Sequence, residues 1–499
     1  MRAGGILMSV TSLPSAYGIG CFSKEAYRFD DWLKEAGQAY WQILPVGPTG
    51  YGDSPYQPFS AFAGNPYMID PETLAEQGLL TEEELRSADF GDDETSVDYE
   101  KLYRNRSALL KQAWKRSAVE NDPAYRAFCE EQAFWLDDYC LFRAVKERFS
   151  EKSWDLWDED IRTRRPDAVE AWTRACAEEI AFGKYLQYTF MQQWKSLRSY
   201  ANSKGIRIIG DIPIYVAFDG ADSWAMPELF QFDVDRRPVM AAGCPPDAFA
   251  ADGQLWGNPL YDWPYHAKTG YSWWKKRLQR CFELYDIVRV DHFRGFDEYY
   301  AIPFGAATAA GGHWCKGPGM DFFRAVREQF GQASVIAEDL GYVTDSVVKL
   351  VRESGYPGMK VIEFAFDSRE AGDYMPYTYD HHCVVYTGTH DNQTLAAWYD
   401  ELTDRDREVL DEYLDLQGKT REEIVWALIR LTLSCVADTA IIPMQDYLCL
   451  GSEARMNRPS SIGKNWRWRI KPDALSAGLA KKIGRLFDVY GRTGTGRAE

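Results

Sequence analysis

The chain has 499 residues, 45% of them hydrophobic and 26% charged, enough for one enlarged barrel or about three ordinary domains around a sizeable core. Its formal net charge is −18, from 57 basic and 75 acidic residues, with no basic stripe, which argues against nucleic acid or a membrane surface as partner and for a neutral ligand. Ten cysteines are scattered without CxxC pairs and read as reduced core residues, and the N-terminal MRAGGILMSVTSLPS holds only a short apolar run, so no signal peptide or membrane span is expected and the cytoplasm is the expected compartment.

Taken in order, the chain shows eight short apolar runs rich in Val and Ile. They are GGILMSV (4–10), WQILPVGP (41–48), RIIGDIPIYV (207–216), DIVRVDH (286–292), ASVIAEDL (333–340), KVIEFAF (360–366), VVYTGTHD (384–391) and TAIIPMQD (439–446). Continuous apolarity, as opposed to alternation, predicts parallel strands covered on both faces. Eight such runs, separated by segments of helical spacing, predict an α/β fold: a (β/α)8 TIM barrel spanning 1–499, with large insertions at the C-terminal face of the strands. A two-sheet α/β fold is the alternative. Residues 50–200 have helical spacing with charged faces and predict a mostly helical insertion. Residues 217–280 are rich in Gly, Pro and Trp and predict an aromatic loop. Aromatic residues make up 15% of the chain, a composition suited to stacking flat ligands such as sugars. No repeat or linker divides the sequence.

Acidic residues close most of these runs: Asp211, Asp291, Glu338 with Asp339, Asp367, Asp391 and Asp446. Singly, each reads as a helix cap or a solvated loop residue. Together, in a barrel, they would face one mouth. Cleavage of a glycosidic bond with retention needs one carboxylate as nucleophile and one carboxylic acid, about 5–5.5 Å apart, which neighbouring strand ends can supply. Arg289 stands two residues before Asp291, on the same face of a strand, where it would hold that aspartate ionised; a buried ion pair without chemistry is the alternative. His292 and His390 each adjoin an aspartate, as neutral donors to sugar hydroxyls, as core residues or as metal ligands. HExxH and calcium-loop spacings are absent, and no metal and no cofactor is expected, with a hydrolase using a divalent cation, or a structural ion, as the alternative.

The segments TSLPSAYGIG, WQILPVGPTGYGDSPYQPFSAFAGNPYMID, GDIPIYVAFDGADSW, GCPPDAFAADGQLWGNPLYDW, VRVDHFRGF, IAEDLG, TGTHDNQT and QDYLCLGSEARMNRP resemble the 4-α-glucanotransferases called amylomaltases or disproportionating enzymes, (β/α)8 relatives of the α-amylases. The resemblance runs almost end to end. It implies Asp291 as the nucleophile that becomes a glucosyl-aspartate, Glu338 as general acid/base, and Asp391 as the carboxylate that steadies the transition state. Arg289, His390 and Asp211 would bind the sugar in the −1 subsite, with Ser54, Tyr56, Gln254, Trp256, His292, Asp367 and Asn457 as further substrate-binding residues. Trp256 as a core residue and Asn457 as a turn cap stay open. Phe249 would help shield the intermediate from water. The reaction implied passes an α-1,4-glucan segment from a maltodextrin, or a fragment of starch or glycogen, to the 4-hydroxyl of another glucan or glucose. Two rivals remain: an α-amylase-like hydrolase using the same three carboxylates, and a non-catalytic glucan-binding protein, whose signature would be loss of Asp291 or Glu338. After ARMNRP the chain departs from the family, with Ser460 and Lys464 where glycine is usual, which puts that loop's backbone in question. Arg294 is expected to make only a structural ion pair.

Overall fold

Each continuous apolar run contributes a strand in the computed structural model, which describes residues 2–50, 52–246, 252–369 and 374–493. The strands are β1 (Ala3–Leu7), β2 (Tyr40–Gln42), β3 (Arg207–Ile212), β4 (Met240–Cys244), β5 (Gln254–Pro259), β6 (Ile287–Val290), β7 (Glu298–Pro303), β8 (His313–Lys316), β9 (Val335–Ala337), β10 (Gly358–Val361), β11 (Cys383–Tyr386) and β12 (Thr439–Pro443). One sheet has the order β10-β11-β12-β1-β2-β3-β6-β9, parallel throughout. No ladder joins β9 to β10. Instead the Ala337 N–H donates to the Pro357 carbonyl at 2.9 Å and the Met359 N–H to Asp339 Oδ1 at 2.7 Å, so the sheet is a nearly closed (β/α)8 barrel.

The physical reason is visible strand by strand. Every residue of β1 and β11 is buried, one face by the barrel interior and the other by helices, and so these runs show no polar alternation. The covering helices carry the expected stripe. Lys24–Glu35 buries Ala26, Phe29 and Leu33, and Asp345–Ser354 buries Val347, Leu350, Val351 and Ser354. Ala177–Ser203 returns the chain to β3, and its Trp194 indole N–H donates to the Leu284 carbonyl at 2.9 Å. No helix among the described residues is long and apolar enough to cross a membrane.

Between β2 and β3 lie the helices Tyr99–Ser117, Pro123–Glu131, Ala133–Arg148 and Pro166–Ala175. Residues 217–280, read from the sequence as a loop, hold more structure than that. They carry β4 and β5, which join β7 and β8 in a four-stranded antiparallel sheet of order β5-β4-β7-β8, and they run into the helix Ser272–Leu284 that leads to β6. Their aromatic residues serve chiefly as core. Trp224, Tyr261, Trp263, Trp273 and Trp274 are all buried. Tyr261 is in ring contact with Trp263, Trp273 and Trp274 at 5.1–5.8 Å.

Gly210, beside Asp211 in β3, faces the ring of Tyr285, and a Cβ there would stand 2.2 Å from its Cγ. Gly210→Ala is expected to destabilise the fold by ~1–3 kcal/mol through overpacking. Denaturant unfolding checks this; an unchanged midpoint would mean that Tyr285 yields freely.

Candidate functional site

Register assembles the centre of the barrel mouth. Asp211 of β3 pairs with Arg289 of β6, and Val290 of β6 with Ala337 of β9, so Asp291 and Glu338 are the next residues on adjacent strands. Arg289 is 3% exposed and Asp211 fully buried. The Arg289 Nη1 donates to Asp211 Oδ1 and Oδ2 at 2.8 and 2.7 Å and to Asp291 Oδ1 at 3.0 Å. The alternation read from VRVD is thus realised as a contact.

Glu338 is held by backbone. The His292 N–H donates to its Oε2 at 2.6 Å and the Leu340 N–H to its Oε1 at 2.8 Å. His292 reaches that position with φ at 51°, in the left-handed region that non-glycine residues avoid. Its ring stands edge-on to Trp256, centroids 4.8 Å apart, and its Nε2 is buried without a hydrogen-bond partner. Burial, then the neighbouring Arg294 charge, lower its pKa to about 3, so the ring is neutral.

Asp391 follows β11 in the loop 387–392. Its Oδ2 lies 3.3 Å from His390 Nε2, its Oδ1 accepts from Asn457 Nδ2 at 2.6 Å, and its carbonyl accepts from Arg455 Nη2 at 2.8 Å. The ring of Tyr56 stacks on His390 at 4.7 Å and 13°, and its hydroxyl donates to Asp211 Oδ2 at 2.9 Å. Asp211, Tyr56, His390, Asp391 and Asn457 therefore form one connected chain.

The other residues expected from the sequence fall at different depths. Ser54 Oγ accepts from the Tyr56 N–H at 3.2 Å and shapes that turn. The Trp256 indole donates to Gln254 Oε1 at 3.0 Å, at the rim beside His292. Asp367 accepts from Arg369 Nε at 2.7 Å. Phe249 lies outside the described residues. Two strand-end acids are structural: Asp339 ties the β9–β10 seam, and Asp446 accepts from Thr387 Oγ1 at 2.7 Å and the Leu395 N–H at 2.9 Å. Sequence reasoning missed Arg455, Asn258, Gln57 and Trp466. Gln57 Nε2 donates to Asn258 Oδ1 at 2.9 Å, joining the Tyr56 turn to β5, and Trp466 lies 5.7 Å from Tyr56 and 6.0 Å from His390, ring to ring. Gln57, Asn258 and Arg455 stand inside DSPYQ, GQLWGNP and ARMN, which was their one sequence signal, and Trp466 follows ARMN by nine residues. Ser460 adopts φ 61°, so the loop keeps a left-handed turn without glycine at that position.

The three carboxyls titrate apart. Burial raises the Asp291 pKa above the ordinary range against the opposing Arg289 charge, with Asp211 and Asp391 adding to the rise. Arg289 alone therefore does not hold Asp291 as a strong carboxylate. Burial also raises Glu338, the Asp291 charge raises it further, and Arg289 and the two N–H groups oppose. Burial would raise Asp391 too, but His390 and then Asn457 outweigh it and hold this carboxyl far below its usual value. His390 is raised in turn, its burial being outweighed by Asp391. Such an arrangement offers one carboxyl that retains a proton beside one that ionises on the adjacent strand. The order of causes predicts that His390→Ala lifts the Asp391 titration more than Asn457→Ala does, as read by NMR of 13Cγ-labelled aspartate. A larger shift in Asn457→Ala would refute the assignment of His390 as the principal counter-charge.

Comparison with known proteins agrees with this geometry. The family profile described as 4-alpha-glucanotransferase, glycoside hydrolase family 77, matches residues 8–476. The chain is 46% identical to the 4-alpha-glucanotransferase of Clostridium butyricum over 97% of this chain and 100% of that one. It is also 46% identical to the enzyme of Streptococcus pneumoniae serotype 4 over 98% and 97%. In structure it is similar to the amylomaltase from Streptococcus agalactiae in complex with acarbose, with a TM-score of 0.94, 38% identity and coverage of 99% and 100%. A barrel whose mouth gathers Asp211, Arg289, Asp291, Glu338 and Asp391, matched over nearly its whole length, belongs to the 4-α-glucanotransferase family and is an enzyme that acts on α-1,4-glucans.

Proposed function

We propose that the enzyme transfers α-1,4-glucan segments from a donor maltodextrin to the 4-hydroxyl of an acceptor glucan or glucose, with retention, through a covalent glucosyl-aspartate on Asp291. The observation that carries this reading is the pair Asp291 and Glu338, next residues in register on adjacent strands. Paired strands lie about 4.8 Å apart, which suits the ~5–5.5 Å that separates the carboxyls of retaining enzymes.

The steps follow from the proton positions. Asp291 attacks C1 of the donor sugar as the C1–O4 bond breaks, and the proton on Glu338 passes to O4 of the departing reducing-end fragment. An acceptor then enters, its 4-hydroxyl gives its proton to Glu338, and the new O4–C1 bond releases Asp291. Asp391, kept ionised by His390 and Asn457, faces the positive charge that develops on the sugar ring. Arg289, Asp211, Tyr56 and His390 fix the −1 sugar, while Trp256, Gln254, Ser54, Asp367 and the neutral His292 extend the subsites. No step needs a cofactor. The ten free cysteines suit a cytoplasmic setting.

Maltotriose separates transfer from hydrolysis. Transfer yields glucose together with longer maltodextrins, whereas a hydrolase yields only shorter sugars, and the latter outcome would remove the transferase reading. Asp291→Asn is expected to abolish turnover. Glu338→Gln should lower kcat on maltotriose by ~10²–10⁴-fold. It should still release a stoichiometric burst of fluoride from α-maltotriosyl fluoride, whose leaving group needs no proton; absence of that burst would sink the acid assignment.

The pH profile has a definite sign. Asp291 must be ionised and Glu338 protonated, so kcat/KM falls as pH drops through the raised Asp291 value and as it climbs through the raised Glu338 value. The acid limb is therefore expected above the ~4 of an ordinary carboxylate. A plateau that extends down to such values would contradict the burial argument.

A further inference from the structure

Arg294 makes the structural ion pair expected of it, loosely, with Glu298 at 4.0 Å, but that is not its main contact. Its guanidinium lies 3.8 Å from the centroid of Trp314 and 5.5 Å from that of Tyr342, and its Nη1 donates to the Tyr342 carbonyl at 2.5 Å. Nε and Nη2 are buried without hydrogen-bond partners, and the two aromatic faces pack close about the cation. Trp314 and Tyr342 lie nearly parallel, centroids 6.4 Å apart at 21°. Tyr300 supports Trp314 edge-on at 5.1 Å, and the loop beyond Tyr342 is tied down by Ser346 Oγ donating to Asp297 Oδ2 at 2.6 Å. For all this bracing, the Tyr342 side chain serves no core. The residue is 67% exposed.

A single exposed tyrosine is ordinary, but one whose backbone is anchored and whose ring is backed by a second aromatic and a buried cation is a pre-organised flat surface. Its place gives it a ligand. Glu338 protonates the oxygen that stays with the leaving fragment, so the leaving group, and later the acceptor, lie on the Glu338 side of the cleaved bond. Tyr342 follows Glu338 on the same loop by four residues, a span of at most ~14 Å. That is close enough for its ring to meet a sugar beyond the first on the acceptor side.

We propose that Tyr342, backed by Trp314 and Arg294, is an acceptor-side platform that stacks on the CH face of a glucose unit beyond the first and sets the preference for longer acceptors. This rests on the transferase reading above. The readout is a ratio: kcat/KM for maltotriose as acceptor over kcat/KM for glucose, measured in the full chain with α-maltotriosyl fluoride as common donor. Tyr342→Ala is expected to lower that ratio about tenfold, and Tyr342→Trp to restore it to within a few-fold of wild type. Equal ratios in wild type and Tyr342→Ala would overturn the platform while leaving the transferase reading intact. Failure of Tyr342→Trp to recover any of the loss would also overturn it, because the effect would then not depend on an aromatic face. A wild-type chain that passes sugar to neither acceptor would overturn the transferase reading and the acceptor platform with it.

Discussion

One guanidinium organises the mouth of this barrel. Arg289 is buried between Asp211 on the neighbouring strand and Asp291 two residues along its own, and donates to both. Two carboxylates that close repel each other, and removing them from water is costly, so folding alone gives little reason to gather them. The single positive charge makes the cluster tolerable, yet leaves it net negative. From Asp211 the network continues through the Tyr56 hydroxyl, the His390 ring and Asp391 to Asn457. Segments from four distant parts of the sequence are thereby held in one geometry.

Sharing explains why two half-buried aspartates of one mouth behave oppositely. Asp291 has only part of Arg289, and it faces Asp211 and Asp391 as well, so burial dominates and its proton is held more tightly. Asp391 has His390 and the Asn457 amide in direct contact, and it stays ionised. A single cation divided between two anions thus leaves one carboxyl of raised basicity beside a neighbour held as a carboxylate. Glu338 responds to both. Its proton is retained in part by the charge on Asp291, and on the mechanism proposed above it would be released more readily once that charge is neutralised by bonding to sugar.

Much of this was legible in the sequence, for reasons that differ by element. All eight barrel strands were visible because burial on both faces writes an uninterrupted apolar run, and the strand-end acids were visible because strands end in register. Alternation alone sent Arg289 and Asp291 to one face. What the sequence hid depends on partners far away in the chain. Asp446 and Asp339 look like Asp291 in a string of letters, but their oxygens are consumed by the N–H groups of Leu395 and Met359. The four-stranded sheet was hidden because β4 and β5 are completed by β7 and β8 beyond β6, and short strands among Gly and Pro read as loop. The aromatic content read as suited to stacking sugars, although Trp224 and Trp274 are fully enclosed. An aromatic count cannot tell a core from a platform.

Strain sharpens the distinction between the chemistry and its rim. His292 and Ser460 both occupy left-handed backbone at φ 51° and 61°, a conformation that costs a non-glycine residue roughly 1–2 kcal/mol. For His292 the return is direct, because that conformation aims its N–H at Glu338. For Ser460 the offset is local. Asn465 accepts from the Arg458 N–H at 3.1 Å and donates to the Ser461 carbonyl at 2.9 Å, stapling the loop across the turn. Absence of glycine at 460 therefore leaves the left-handed turn in place. Asp291, Glu338 and their counter-charges are therefore fixed by strands and by backbone N–H groups, whereas Tyr342 and the 458–465 segment stand on loops stapled by side-chain hydrogen bonds.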